Sequence, residues 1–261
     1  MEYKDFKKKY GQNFIKDPGI IKKIVSSTNI TKDDLVIEVG PGSGVLTKEL
    51  SKVAKNVLCY EIDNSLEDVL SVNLSDCNNV EIIFEDFLKR DVSKDIEKFE
   101  YNDLYVVANI PYYITTDIIK RIIGSNINPK ELVLMIQKEV GDRYTSSPGC
   151  REYSSITVLL NYHFNIKKLF NVGRKNFVPE PKVDSVVISL KRRDNKEQVN
   201  EEKFNKIIRD SFKFKRKSIK NNLKGYDLNT VEEILKKHNK TLLDRAETFP
   251  LEVFIDLANN L

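Results

Sequence analysis

The sequence predicts an α/β fold, an open and mainly parallel sheet with helices on both faces, followed by a small all-helical C-terminal domain. Three observations carry this. From about residue 19 onward, short apolar runs alternate with segments of helical periodicity. A glycine-rich loop directly follows the first of those runs. Beyond a polar stretch near residue 195 the pattern becomes wholly helical.

Taken in order, Ile20, Ile21, Ile24 and Val25 recur at helical spacing, and Asp34–Val39 (DLVIEV) reads as a buried strand. Leu46–Ala54 reads as a helix and Asn56–Glu61 as the second strand. Val80–Phe84, Asp103–Ala108 and Leu132–Ile136 supply three more, and short strands separated by helices build βαβ units. Val183–Leu190 alternates and is expected as an antiparallel edge strand. Further on, Phe204, Ile208, Phe212, Ile219 and Leu223 fall at helical spacing, and Val231–Lys237 and Leu251–Leu257 are further amphipathic helices. The polar run Asp194–Gln198 marks a linker, which gives expected domains 1–195 and 196–261.

With 40% hydrophobic and 31% charged residues, a chain of 261 can bury a proper core and keep a soluble surface. No stretch approaches the ~20 apolar residues of a membrane helix, so no membrane partner is expected. The first residues, MEYKDFKKKYGQNF, lack the apolar centre of a secretory signal, which makes the cytoplasm the expected compartment. Cys59, Cys77 and Cys150 are too scattered for a disulfide framework or a zinc site, and His163 and His238 have no partner cluster, so no metal is expected.

The net charge of +4 is unevenly spread. Residues 4–23 hold seven Lys and two Asp, and residues 203–224 hold nine Lys or Arg and one Asp. Residues 61–103 hold thirteen acidic and four basic side chains. Such segregation suits a polyanion-binding side, because neutralising phosphates releases counterions. Any single Lys-rich run also reads as a solvated helix face.

Glu38-Val-Gly-Pro-Gly-Ser-Gly44 follows the first strand and opens a helix. Its glycines permit a tight turn and close approach of a ligand to Gly40 and Gly42. The GxGxG spacing lacks the third position of GxGxxG, which favours a nucleoside cofactor without a pyrophosphate. The second strand ends in Glu61, placed for ribose hydroxyls, and the third in Asp86, which can accept from an adenine amino group. S-adenosylmethionine ranks ahead of NAD on this pattern, and both ahead of a turn that binds nothing.

The fourth strand runs into Asn109-Ile-Pro-Tyr112. A [DNS]-[IL]-P-[YF] tetrapeptide at that point marks enzymes that methylate an exocyclic amino nitrogen. Such a nitrogen is a poor nucleophile because its lone pair is delocalised into the ring. The Asn109 side-chain oxygen and the Ile110 carbonyl can accept both amino hydrogens and aim the lone pair at the methyl group. Pro111 stiffens the turn, and Tyr112 offers a ring to an extruded base. In isolation, an Asn-Ile-Pro segment after a strand is more often a plain turn.

With these residues in place, the chain resembles the ribosomal RNA adenine dimethyltransferase family, with its KsgA-type and Erm-type branches. The recurring blocks are Tyr10–Phe14, Glu38–Thr47, Tyr60–Asp63, Glu85–Lys89, Asn109–Thr116, Met135–Arg143, Arg151–Leu160 and Phe177–Leu190. The GPGSG loop, Phe212–Leu223 (FKFKRKSIKNNL) and Arg245–Thr248 are similar to the KsgA branch. Ile15 stands where Leu is usual, and Ser154-Ser155 replaces a Gly-containing run.

The resemblance implies a Rossmann-like class I methyltransferase sheet with S-adenosylmethionine as cofactor. Asn13 and Ile15 would lie over the cofactor, and Gly40 and Gly42 would meet it through the loop backbone. Glu61 with Ile62 would hold the ribose, Asp86 with Phe87 the adenine, and Asn109 would border the methionine end. Asn109, Ile110, Pro111, Tyr112 and Phe177 form the expected catalytic set, with Tyr112 and Phe177 sandwiching the flipped adenine. Lys213, Lys215, Arg216 and Lys217 are the expected RNA contacts, because phosphate binding needs only charge and reach.

The implied activity is N6,N6-dimethylation of two adjacent adenines in the 3′-terminal hairpin loop of 16S rRNA during 30S subunit biogenesis. The implied partner is small-subunit rRNA in the pre-30S particle, met by a monomer. The alternatives are an Erm-like 23S rRNA adenine methylase and a ribosome assembly or RNA-binding factor on the same fold.

Overall fold

The structure, a computed structural model, describes residues 13–111 and 114–261. The first element among the described residues is a short strand β1 (Phe14–Ile15), and α1 (Pro18–Ser26) starts where Asp17 accepts a hydrogen bond from the Gly19 N–H and Pro18 supplies a preset φ. Then come β2 (Leu35–Val39), α2 (Val45–Val53), β3 (Asn56–Tyr60), α3 (Glu67–Asn73), β4 (Val80–Ile83), α4 (Val92–Ile96) and β5 (Leu104–Asn109). These are followed by α5 (Thr115–Gly124), β6 (Glu131–Gln137), α6 (Lys138–Tyr144), α7 (Ser155–His163), β7 (Phe164–Val172), β8 (Phe177–Val178) and β9 (Ser185–Arg192). The last four are helices, α8 (Glu201–Ser211), α9 (Ile219–Asn222), α10 (Leu228–Lys237) and α11 (Leu251–Asn260).

Two compact units result. The first runs through Gly141 and takes up Lys167–Arg192; the second is Asp142–Ile166 with Arg193–Leu261. In the first, a seven-stranded sheet has the order β4-β3-β2-β5-β6-β9-β7. β2 pairs in parallel with β3 and β5, β3 with β4 and β5 with β6, whereas β6 and β9 are antiparallel. Alternation of period two puts Val36, Val57, Tyr105 and Val133 in one buried cluster with Ile21 and Ile24 of α1 and Leu46 and Leu50 of α2. β1 and β8 form a separate antiparallel pair, with Phe14 opposite Val178.

The sheet corrects one expectation. β9 is antiparallel but interior, because β7 lies outside it. β7 carries Lys167 and Lys168 exposed along its length, the device that keeps a free edge from pairing with other chains.

The second unit is built of helices around Phe204, Ile208, Val231, Leu235, Phe249 and Phe254. It takes in residues from before the expected linker because Tyr153, Val158 and Tyr162 belong to the same buried cluster. The Tyr162 and Phe204 rings lie 4.6 Å apart, and the Tyr162 hydroxyl donates to the Glu197 carbonyl at 3.0 Å. The periodic run 204–223 is broken after Ser211, where residues 212–218 turn before α9. No helix among the described residues is long and apolar enough to cross a membrane.

Candidate active site

Connections from β2 lead outward through β3 to β4, and β5 then starts again on the other side of β2. The carboxyl ends of β2 and β5 therefore flank the switch point, where open α/β sheets bind ligands. Gly40 follows one strand and Asn109 ends the other. A pocket opens there, lined by Asn13, Ile15, Gly40, Gly42, Glu61, Ile62, Asp86, Phe87 and Asn109, with Ile110 and Pro111 beside them. The structure thus brings the whole expected cofactor-binding set around one cavity.

The loop after β2 depends on left-handed backbone. Gly40 has φ +74° and Gly42 φ +59°, conformations that cost a side-chain-bearing residue strain. A Cβ at Gly40 would meet nothing within 4 Å, so this stretch of backbone faces open space that a ligand can occupy. At Gly42 a Cβ would lie 2.9 Å from the Phe14 ring, because β1 seats that ring on the loop.

Gly42 also fixes an acid. Its N–H donates to Glu61 Oε2 at 3.1 Å, and the Asp63 N–H donates to Oε1 at 2.9 Å. Burial pushes the Glu61 carboxyl up, and these N–H groups pull it partly back. Each Glu61 oxygen has a further lone pair for a hydroxyl donor. Glu38, next to last in β2, lines the same pocket. Its burial pushes the carboxyl up to about 8, with the Cys59 thiol 3.8 Å from Oε2.

Asp86 follows β4 and caps a short turn, with Oδ1 accepting from the Leu88 N–H at 3.0 Å and Oδ2 3.9 Å from Lys89 Nζ. The Asn109 Nδ2–H group donates to the Asn13 carbonyl at 3.0 Å, which engages one of the two amide hydrogens, orients the side chain and leaves Oδ1 to accept. The Ile110 N–H donates to the Met135 carbonyl at 3.2 Å, so the turn after β5 is fixed by β6. Buried acids, an open glycine backbone and apolar walls suit a nucleoside cofactor bearing hydroxyl and amino donors.

Other expected residues lie elsewhere. Phe177 is fully buried in the cluster with Ile21, Val36 and Tyr105, behind its strand partner Ile15, which lines the pocket while Phe177 does not. Its ring has no face open to a base in this arrangement, so stacking there requires the ring to be uncovered first. Tyr112 lies outside the described residues, as does the basic run Lys4–Lys9. Lys213, Lys215, Arg216 and Lys217 are exposed on the α8–α9 loop of the second unit. No cluster of three or more His, Cys, Asp or Glu side chains that could hold a metal occurs among the described residues.

Glu38 and Phe14 are among the lining residues to which the sequence assigned no site role. Glu38 had a signal, a lone acid inside an otherwise apolar strand. Phe14 had none, because its place over Gly42 arises only when β1 pairs with β8.

The family described as ribosomal RNA adenine dimethylase matches residues 3–261. Ribosomal RNA small subunit methyltransferase A of Clostridium botulinum (strain Kyoto / Type A2) is 40% identical over 258 residues, which span 97% of this chain and 93% of that protein. A dimethyladenosine transferase from Plasmodium falciparum is 26% identical with a TM-score of 0.78, covering 94% of this chain and 95% of that one. The 23S rRNA methyltransferase ErmE is 27% identical with a TM-score of 0.76, covering 94% and 98%. With a match that runs nearly from end to end, the chain belongs to the ribosomal RNA adenine dimethylase family.

Proposed function

We propose that this chain dimethylates N6 of two adjacent adenines in the 3′-terminal hairpin loop of 16S rRNA, acting as a cytoplasmic monomer on the pre-30S particle. As a member of its family the chain is a methyltransferase, and S-adenosylmethionine is its methyl donor. The observation that carries the reading is the Asn109 amide, tied through Nδ2 to Asn13 at the rim of a pocket that also holds Glu61 and Asp86.

When bound, S-adenosylmethionine supplies an electrophilic methyl on a positively charged sulfur. Glu61 would accept from the ribose hydroxyls, and Asp86 from the adenine amino group. Asn109 Oδ1 and the Ile110 carbonyl would accept the two hydrogens of the target amine and turn its lone pair toward the methyl. Pro111 stiffens that turn, and Tyr112 is assigned the base by its motif alone. Positioning of this kind contributes through alignment and needs no nucleophilic side chain.

Small-subunit RNA is favoured over the 23S alternative because the small-subunit relative is 40% identical and ErmE 27%. The test is incubation with labelled S-adenosylmethionine and unmethylated 30S or 50S particles, followed by mapping of the modified base. Label confined to 50S RNA, or none at all, would overturn the reading.

A further inference from the structure

Phe212 and Phe214 lie two residues apart on the α8–α9 loop and have opposite surroundings. The Phe212 ring packs inward, stacked on Phe254 at 5.7 Å and tilted against Tyr153 at 6.2 Å. Phe214 remains 50% exposed. A single exposed apolar side chain is ordinary on a protein surface, but the backbone of this one is held with unusual care. Its N–H donates to Asn222 Oδ1 at 2.9 Å, and its carbonyl accepts from Asn222 Nδ2 at 3.3 Å and from the Lys217 N–H at 2.9 Å. The last bond closes a turn over residues 214–217, which fixes where the ring starts from.

Everything else at that turn is cationic. Lys213, Lys215, Arg216 and Lys217 are exposed, and Lys213 Nζ lies 5.6 Å from the Phe214 ring centroid. An exposed ring surrounded by cations on a fixed backbone is a poor seat for an apolar protein surface, which would have to desolvate four charges. It suits a single-stranded nucleic acid, whose bases offer π-faces while its phosphates meet the lysines and arginine. Pinning the backbone beforehand lowers the ordering cost of that contact.

We propose that Phe214 is a base-stacking platform on which an unpaired nucleobase of the ribosomal RNA rests while Lys213, Lys215, Arg216 and Lys217 hold the flanking phosphates. This rests on the reading of the chain as an enzyme of ribosomal RNA and adds a contact by ring to the contacts by charge.

Binding to unmethylated 30S particles separates the two. Phe214→Ala and Phe214→Leu should weaken binding about five- to hundred-fold, the range that one base–aromatic stack supplies, whereas Phe214→Tyr should retain it. Because no charge is removed, the slope of log affinity against log salt should stay that of the wild type. Cofactor affinity and thermal unfolding of these variants should also match the wild type.

The chain contains no tryptophan, so Phe214→Trp places a single reporter at the site. Its emission should be quenched when protein-free, unmethylated 16S rRNA is added. Wild-type affinity in Phe214→Ala, or unchanged emission at RNA concentrations that saturate binding, would overturn the stacking site while leaving the enzymatic reading intact. A wild-type protein that neither binds nor methylates the particle would overturn that reading, and the stacking site with it.

Discussion

The Asn109 side chain donates to the Asn13 backbone carbonyl at 3.0 Å, so the last residue of the central strand is joined to the segment just before β1. One of the two hydrogens of a small amide is thereby engaged by the protein's own backbone, which orients the side chain. The amide oxygen can serve only as an acceptor.

Asn109→Ala should therefore abolish methyl transfer or reduce turnover about a hundred- to a thousand-fold, the usual effect of deleting one preorganised hydrogen-bonding group. RNA binding should be nearly unchanged, because affinity comes mainly from phosphate contacts. Asn109→Asp keeps an acceptor but loses the donor to Asn13, and it should recover only part of the rate. Single-turnover methylation of unmethylated 30S particles, with a filter-binding curve for each variant, checks this; near-wild-type methylation by Asn109→Ala would break the mechanism.

Glu61→Ala removes the carboxylate that the Gly42 and Asp63 N–H groups hold in place. S-adenosylmethionine binding should weaken by roughly 1.5–3 kcal/mol for each charge-assisted hydrogen bond removed. Calorimetry measures it directly, and an unchanged affinity would move the ribose elsewhere.

Joint neutralisation of Lys213, Lys215, Arg216 and Lys217 should weaken particle binding and flatten its salt dependence. Each phosphate that is no longer neutralised lowers the log–log slope by about 0.9 in the duplex limit. The fold should hardly change, because these side chains are exposed. An unaltered slope would shift the footprint to the Lys4–Lys9 run.

Glu38 gives the stability a pH dependence of defined sign. Burial raises its carboxyl from 4.5 to about 8, so the folded chain holds that proton more tightly than the unfolded one. The resulting contribution is complete below pH 4.5 and disappears as pH rises through about 8. Burial of Glu61 acts in the same direction. Between pH 5 and pH 8.5, the melting temperature of the wild type should thus fall more than that of Glu38→Gln. Parallel curves for the two proteins would show that Glu38 is ionised in the folded state throughout.

The strands that support the pocket were legible because β2, β3, β5 and β6 are apolar runs with turn residues at their ends. The carboxylates beyond the strand ends were legible for the same reason, since Glu61 directly follows β3 and Asp86 lies three residues past β4. What escaped were relationships between distant segments. β7 hid because its lysines obscure its alternation, and the α8–α9 break hid because Phe212 continues the helical spacing while Asn222 ties down Phe214 instead. Phe177 was placed by motif in a stacking role, but the pairing of β8 with β1 and the packing beneath it bury the ring.

The β1–β8 pair has a consequence for the order in which the chain is made. Phe14 and Ile15 leave the ribosome early, yet their partners Phe177 and Val178 follow only after the parallel strands have been synthesised. Joining ends so far apart costs loop entropy that nearby contacts must first offset. The Phe14 ring settles against Gly42, and the Asn13 carbonyl reaches Asn109, at that same corner. A nascent chain halted before residue 177 would already carry Glu61, Asp86 and Asn109, but would lack the strand partner that holds β1 over them.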